Sequence, residues 1–233
     1  NKLTTRQIQN LYRELQQNGC RRAAQKTKRP GLSSSTIRGV HTMLHSALNR
    51  AVKEKLLRHN PAEDCIVPKL QRQEMRTLKP EDMRAYLEAA ERRGVLALFY
   101  LELVSGIRKG ELAALLWTDL DAEHGTISVS KQVGRNARGE LAICQPKTSN
   151  SVREISIPRD AVELLVQEHQ WHPESPYLFP SPKTGGMYHP DSIVNLHKKI
   201  LKDAGLEYVR FHDLRHTFAT VALQSGVDVK TVS

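Results

Sequence analysis

The stretch "RFHDLRHTFAT", residues 210–220, places His212, Arg215 and His216 within five positions of an otherwise apolar helical pattern. A second cationic group, Arg108 with Lys109, separates the apolar runs "VLALFYLELVSG" and "ELAALLW", and Lys147 stands in the polar segment "PKTSNS". Two histidines at i and i+4 could ligate zinc, but the glutamate of the HExxH arrangement is missing, which makes a poor metal motif. His212 and Arg215 share one helical face and could equally be buried polar residues held in a hydrogen-bond network. An arginine at a helix junction commonly caps a carbonyl or pairs with a carboxylate, here Glu111. A lysine in a loop between strands is most often simply solvated. Spacing alone leaves all these readings open.

The elements that must position these groups are legible. "VLALFYLELVSG" predicts a buried helix ending at Gly106, and "ELAALLW" starts another, so Arg108 and Lys109 are expected at the turn between two buried helices. "TISVSKQ", "ELAICQP" and "VREISIP" predict one small antiparallel sheet, with Val152, Ile155 and Ile157 turned inward and Lys147 at the tip where two strands turn. "LKPEDMRAYLEAAERRG" predicts a helix with Pro80 in its first turn and acidic residues behind it. A Pro-rich stretch precedes a helix that runs to Ala204, and the last helix is expected to bury Leu214, Phe218, Val221 and Ala222.

Composition narrows the class. A chain of 233 residues with 39% hydrophobic and 26% charged residues matches a globular protein of one large domain or two ordinary ones. Cys20, Cys65 and Cys144 are odd in number and far apart, which predicts a reducing cytosol without disulfides or a structural zinc site. The longest uncharged apolar run, residues 95–101, is far short of the roughly 18 residues of a spanning helix.

The formal charge of +10 is segregated: residues 1–76 hold 16 Lys and Arg against 5 Asp and Glu, and residues 77–233 hold 19 against 20. A basic excess confined to one third of the chain favours a nucleic-acid partner. That third predicts two helices. The first has Thr4 and Gln7 in capping-box spacing, Ile8, Leu11, Tyr12 and Leu15 on one face and Gly19 as terminator. The second follows the "SSST" cap, repeats Ile37, Val40, Leu44, Leu48 and Ala51, and is broken by "HNP" at 59–61. Arg21, Arg22, Lys26, Lys28 and Arg29, between the helices, are expected to contact DNA phosphates. "VPKLQRQEMR" lacks periodicity and reads as an exposed linker.

Taken in order, "SGIRKGELAALLWTDLD", "PKTSNSVREISIP" and "FHDLRHTFAT" resemble the catalytic domain of the tyrosine recombinase, or phage integrase, family, in a flavour similar to integrases of temperate phages and conjugative transposons. The resemblance implies an α+β, mainly helical architecture. Residues 1–66 would be a small basic core DNA-binding domain, 67–76 a linker, and 77–233 a mixed α/β catalytic domain with a small antiparallel sheet. It implies a site-specific recombinase that cleaves and rejoins DNA through a 3′-phosphotyrosine and a Holliday junction, without metal or other cofactor, to integrate or excise a mobile element.

Site roles follow by the same resemblance. Arg108 and Arg215 would clamp the scissile phosphate, rigidly held by burial, and His212 would donate a further hydrogen bond to it. Lys147 would protonate the leaving 5′-hydroxyl, and Glu111 would orient the arginine and histidine side chains; His216 is read as structural. The family's nucleophilic tyrosine would lie beyond Ser233, since none of the six tyrosines of the chain stands where it belongs. Expected partners are double-stranded DNA at core sites, further copies in a tetramer on two duplexes, and an excisionase or DNA-bending protein, in the bacterial cytoplasm at the nucleoid. An arm-binding domain upstream of Asn1 stays open. Two other readings remain: a non-enzymatic sequence-specific DNA-binding protein that retains the fold, which would form no covalent adduct, and a metal-dependent nuclease, which EDTA would silence.

Overall fold

Helix α1 (Thr5–Asn18) starts on the predicted capping box. Gln7 N donates to Thr4 Oγ1 at 3.3 Å and Thr4 N donates to Gln7 Oε1 at 2.9 Å, so two otherwise orphaned N–H groups are satisfied. The structure is a computed structural model that describes residues 3–19, 30–70, 76–145 and 152–224. The chain divides into two units, Asn1–Glu74 and Met75–Ser233.

In the first unit, α1 packs against α2 (Ser34–Lys53), whose cap is Ser33, the first serine of the predicted run. Ile8, Tyr12, Ile37, Ala62 and Cys65 form the core, with Leu15, Val40, Leu44 and Leu48 packed onto it. Full burial of Ile8 and Ile37 contributes about 1.5–3 kcal/mol each. Gly19 ends α1 as expected, but with a right-handed φ of −71°. Its glycine is needed for space instead, because a Cβ there would meet Leu15 O at 2.5 Å and Leu32 Cγ at 2.8 Å. At Gly31 a Cβ would fall 1.7 Å from Gln16 O, and Leu32 N donates to Leu15 O at 2.8 Å. The chain therefore returns directly onto the last turn of α1. Helix α2 stops before "HNP", with Lys55 at a left-handed φ of 60° just after it. The buried Asn60 of that tripeptide donates to His45 O and Asn49 Oδ1 and accepts from Ala62 N. The stretch read as an exposed linker is tied at its start, where Arg38 donates to Pro68 O at 3.3 Å.

In the second unit, α4 (Leu96–Ser105) is the central element, packed against α3 (Pro80–Arg92), α6 (Arg159–Trp171) and α8 (Phe211–Gln224). Seven of its ten residues are buried, because a helix apolar on every side has no solvent face to offer. The four-residue α5 (Lys109–Leu112) follows after Gly106. Five strands come next: β1 (Leu120–Asp121), β2 (Thr126–Val129), β3 (Gln132–Arg135), β4 (Leu141–Cys144) and β5 (Arg153–Ser156). They form two sheets where one was expected. One has the antiparallel order β1-β2-β5, the other is the β3-β4 hairpin. "TISVSKQ" is split between them, with Lys131 turned to Asp119 at 2.7 Å. Among the described residues β4 and β5 are not paired with each other, and the segment bearing Lys147 lies outside the described residues.

Helix α7 (Pro190–Asp203) buries His197 against α3. Tyr86 Oη meets His197 Nδ1 at 2.8 Å, and His197 Nε2 meets Val209 O at 2.8 Å. Since the Val209 carbonyl can only accept, Nε2 carries the proton and Nδ1 accepts from the tyrosine. Burial pulls the His197 pKa below its ordinary value, so the neutral ring ties α3 and α7 to the start of α8.

Candidate active site

The site forms where α4 ends, α5 begins and α8 crosses both. Gly106 caps α4 with a left-handed φ of 58°, a conformation glycine adopts without steric cost. A Cβ on it would lie 2.7 Å from Phe218 Cδ1 and 3.4 Å from Arg215 Cγ, so glycine also lets α8 approach. Arg215 uses that approach: its Nη1 donates to the Gly106 carbonyl. The carbonyl-capping role considered for the arginine turn thus falls to Arg215.

Arg108 takes the carboxylate alternative. Its Nη1 donates to Glu111 Oε1 at 2.9 Å, and its backbone N–H donates to Glu111 Oε2 at 3.1 Å. The side chain of Arg108 is 52% exposed, which corrects the expectation that it is buried. A turn between two buried helices still opens outward when its residues carry charge. Lys109, also exposed, reaches Asp191 at 3.2 Å.

Glu111 is the buried hub, its side chain 5% exposed. Arg153 grips it from β5, Nη2 to Oε2 at 2.7 Å and Nη1 to Oε1 at 3.2 Å, a bidentate pairing that fixes the carboxylate plane. Burial alone would raise the Glu111 pKa, but the hydrogen bonds from Arg153 and Arg108 outweigh it and hold the carboxyl below its usual range. Burial, then the charges of Arg108 and Arg153, press the Arg215 pKa down, while Glu111 and Glu102 pull it up. Three guanidiniums therefore share one electrostatic cluster.

His212 is exposed on the first turn of α8, and His216 is half-buried, their ring centroids 5.6 Å apart at 85°. Among the described residues no group of three or more His, Cys, Asp or Glu is placed to hold a metal ion. On the buried side of α8, Asp213 accepts a bidentate pair from Arg210 at 2.7 and 2.9 Å. Thr217 Oγ1 accepts from Leu78 N at 3.0 Å and donates to Asp213 O. These bonds seat the helix so that His212 faces solvent and Arg215 faces the turn. Leu214 is buried as predicted, Phe218 and Ala222 are half-buried, and the Val221 side chain lies outside the described residues.

The model of the phage integrase family matches residues 73–233. The chain belongs to the phage integrase family. The family member "Tyrosine recombinase XerC-like" of Caldanaerobacter subterraneus subsp. tengcongensis is 30% identical over 97% of this chain and 62% of its own length. The ICEBs1 integrase of Bacillus subtilis is 27% identical over 87% of this chain and 58% of its own. The chain thus spans about three fifths of these curated relatives. Among solved structures, the Tn1549 transposon integrase in complex with circular intermediate DNA superposes with a TM-score of 0.81 at 21% identity, over 98% of this chain and 76% of that one. That likeness shows the phage integrase fold, α+β and mainly helical.

Of the residues expected at the integrase site, Arg108, Glu111 and Arg215 come together, and His212 lies on the exposed first turn of α8. Lys147 and the basic residues Arg21, Arg22, Lys26, Lys28 and Arg29 lie outside the described residues. Sequence reasoning missed Arg153. Of the expected inward residues, Ile155 and Ile157 do turn inward, but Val152 is exposed and Arg153 completes the inward alternation. It also missed Glu102, a buried carboxylate in α4, and Asp213. The available signal was a charged residue inside an otherwise apolar run.

Proposed function

We propose that the chain is the DNA-cleaving and rejoining part of a site-specific recombinase that integrates or excises a mobile element through a 3′-phosphotyrosine and a Holliday junction. The observation that carries this reading is the guanidinium cluster Arg108, Arg153 and Arg215 built around Glu111. A phosphodiester under attack gains negative charge on its non-bridging oxygens, and preorganised cations placed there stabilise the transition state without reorganisation. Arg108 and Arg215 bind those oxygens. Arg153 locks Glu111, and Glu111 in turn fixes the guanidinium plane of Arg108. His212, exposed on the first turn of α8, donates to the same phosphate. Lys147 protonates the departing 5′-hydroxyl.

The nucleophilic tyrosine is assigned to residues beyond Ser233, and no metal ion enters the chemistry. Residues 77–233 form the catalytic domain. Residues 1–66 form the core DNA-binding domain, with Arg21, Arg22, Lys26, Lys28 and Arg29 on phosphates. DNA in a complex with the Tn1549 integrase and a lambda integrase dimer on a core site support a DNA partner and assembly of several copies, extended here to a tetramer on two duplexes. An excisionase or DNA-bending protein completes the partners, and the reaction takes place on bacterial chromosomal DNA in the cytoplasm.

The test is to incubate the full natural chain, in EDTA, with a nicked duplex bearing its cognate site. A covalent band that resists SDS and yields to protease is expected, with its tyrosine mapping beyond Ser233. Binding without a band refutes strand cleavage, and cleavage that EDTA abolishes refutes the metal-free mechanism.

A further inference from the structure

Glu102 is a carboxylate that the roles above leave unused. It is 1% exposed in the apolar helix α4, one turn before Gly106, and its backbone carbonyl accepts the Gly106 N–H at 2.9 Å. Its Oε2 is buried with no hydrogen-bond partner among the described residues. The ion pairs of the cluster run through Glu111 and leave Glu102 out. The charges of Arg215 on α8 and Glu111 in α5 act on it, and its own charge acts on Tyr86 of α3, whose hydroxyl is given to His197. From α6, which also packs on α4, Asp160 is engaged by Tyr100, roughly 200° around α4 from Glu102.

An ionised carboxylate without a partner cannot be kept in an apolar interior, so the group takes a proton instead. Burial drives the Glu102 pKa well above its ordinary value, and the negative charge of Glu111 adds to the rise, against the opposing pull of Arg215. The state of that proton sets the charge of the cluster. Among the described residues Glu111 is the carboxylate that pairs with Arg108 and Arg153, so a second ionised carboxylate near Arg215 would subtract from the positive charge that the guanidiniums offer. A phosphodiester carries one negative charge and acquires a second as the nucleophile attacks. A neutral Glu102 leaves the positive charge of the guanidiniums available to that dianion; an ionised Glu102 offsets part of it.

We propose that Glu102 is a positioning residue for phosphodiester cleavage, held beside Arg215 as a neutral acid so that the arginine cluster keeps its full charge for the transition state. This rests on the recombinase reading above. The deciding experiment measures covalent adduct formation by the full natural chain at saturating nicked duplex, in EDTA, from pH 6 to 9.5, each variant normalised to its own maximum. Wild type should lose rate tenfold or more on the alkaline side. Glu102→Gln cannot ionise, so its alkaline loss should move up by at least one pH unit, whereas Glu102→Asp should retain a loss within the range. Superimposable wild-type and Glu102→Gln profiles would overturn the proposal and leave Glu102 a packing residue, whatever the change in Tm.

A second measurement needs no variant. Binding of the nicked duplex by wild type on its alkaline side should take up a proton, because the bound phosphate disfavours a second negative charge nearby. The uptake is read by calorimetry as a heat that changes with the ionisation enthalpy of the buffer; a buffer-independent heat overturns the proposal. If wild type forms no adduct at any pH, the recombinase reading fails, and the calorimetry alone decides the role of Glu102.

Discussion

Replacing Gly106 with alanine inserts one methyl group between the end of α4 and the face of α8. Two costs add. A non-glycine residue at φ 58° costs about 1–2 kcal/mol for its left-handed backbone. The new Cβ would lie 2.7 Å from Phe218 Cδ1 and 3.3 Å from its Cγ, so the ring or the helix must shift, and overpacking of this kind costs about 1–3 kcal/mol. The total is about 2–5 kcal/mol. Gly205→Ala isolates the second part, because Gly205 has a φ of 68° with no atom within 4 Å of its Cβ position. Both replacements make the same change in the unfolded chain, so that contribution cancels. Urea unfolding of the two variants, compared at equal m, should place Gly106→Ala about 1–3 kcal/mol below Gly205→Ala. Because Arg215 donates to the Gly106 carbonyl, Gly106→Ala should also slow strand cleavage at least tenfold while Gly205→Ala does not. Equal destabilisation, or full cleavage by a destabilised Gly106→Ala, would refute the argument that glycine is needed here for the approach of α8.

On the proposal that the basic first unit carries most of the phosphate contacts, Arg215→Ala should abolish the covalent adduct while leaving DNA affinity nearly intact in a salt-matched titration; a large loss of affinity would contradict that division. Arg153→Met removes two hydrogen bonds to a buried carboxylate and should destabilise the second unit by about 1.5–3 kcal/mol, with cleavage reduced and only partly restored by Arg153→Lys, which cannot pair bidentately. Wild-type cleavage in Arg153→Met would remove Arg153 from the site. His197 is held neutral with a lowered pKa, so below about pH 6.5 the unfolded chain takes a proton that the folded chain refuses. Stability should therefore fall as pH drops from there to the lowered folded value, by up to about 1.4 kcal/mol per pH unit. His197→Gln should flatten that slope between pH 7.5 and 5.5 in urea melts, and parallel slopes for the two proteins would refute it.

Local chemistry was legible wherever it involved neighbours in sequence. Thr4 with Gln7, Ser33 before α2 and Gly106 after α4 all depend on residues within one helical turn of each other. The pairing of Arg108 with Glu111 is of the same kind, three residues apart. Strand partners were only partly legible: β3 with β4 is a local hairpin, but pairing β2 with β5 is decided by packing between segments that are distant in the chain. Arg153 was lost for a related reason. The search for apolar residues placed Ile155 and Ile157 inward correctly but added Val152, which stands in the opposite phase of a period-two strand, and passed over Arg153. The inward phase begins with that cation, which pairs with the carboxylate of Glu111, 42 residues earlier. Glu102 shows the converse difficulty: a helix read correctly as apolar makes its single carboxylate look incidental.

The glycines at 19 and 31 imply something about how this protein can diverge. The return of the chain onto the last turn of α1 at Gly31 and Leu32 fastens both ends of the intervening stretch to one place on the first unit. When the ends of a loop are fastened, doubling its length costs only about 0.6 kcal/mol of closure entropy. The residues between those two anchors can thus be lengthened, shortened or exchanged while α1 and α2 keep their packing. If that stretch meets DNA, as proposed, its sequence can diverge without endangering the fold that carries it.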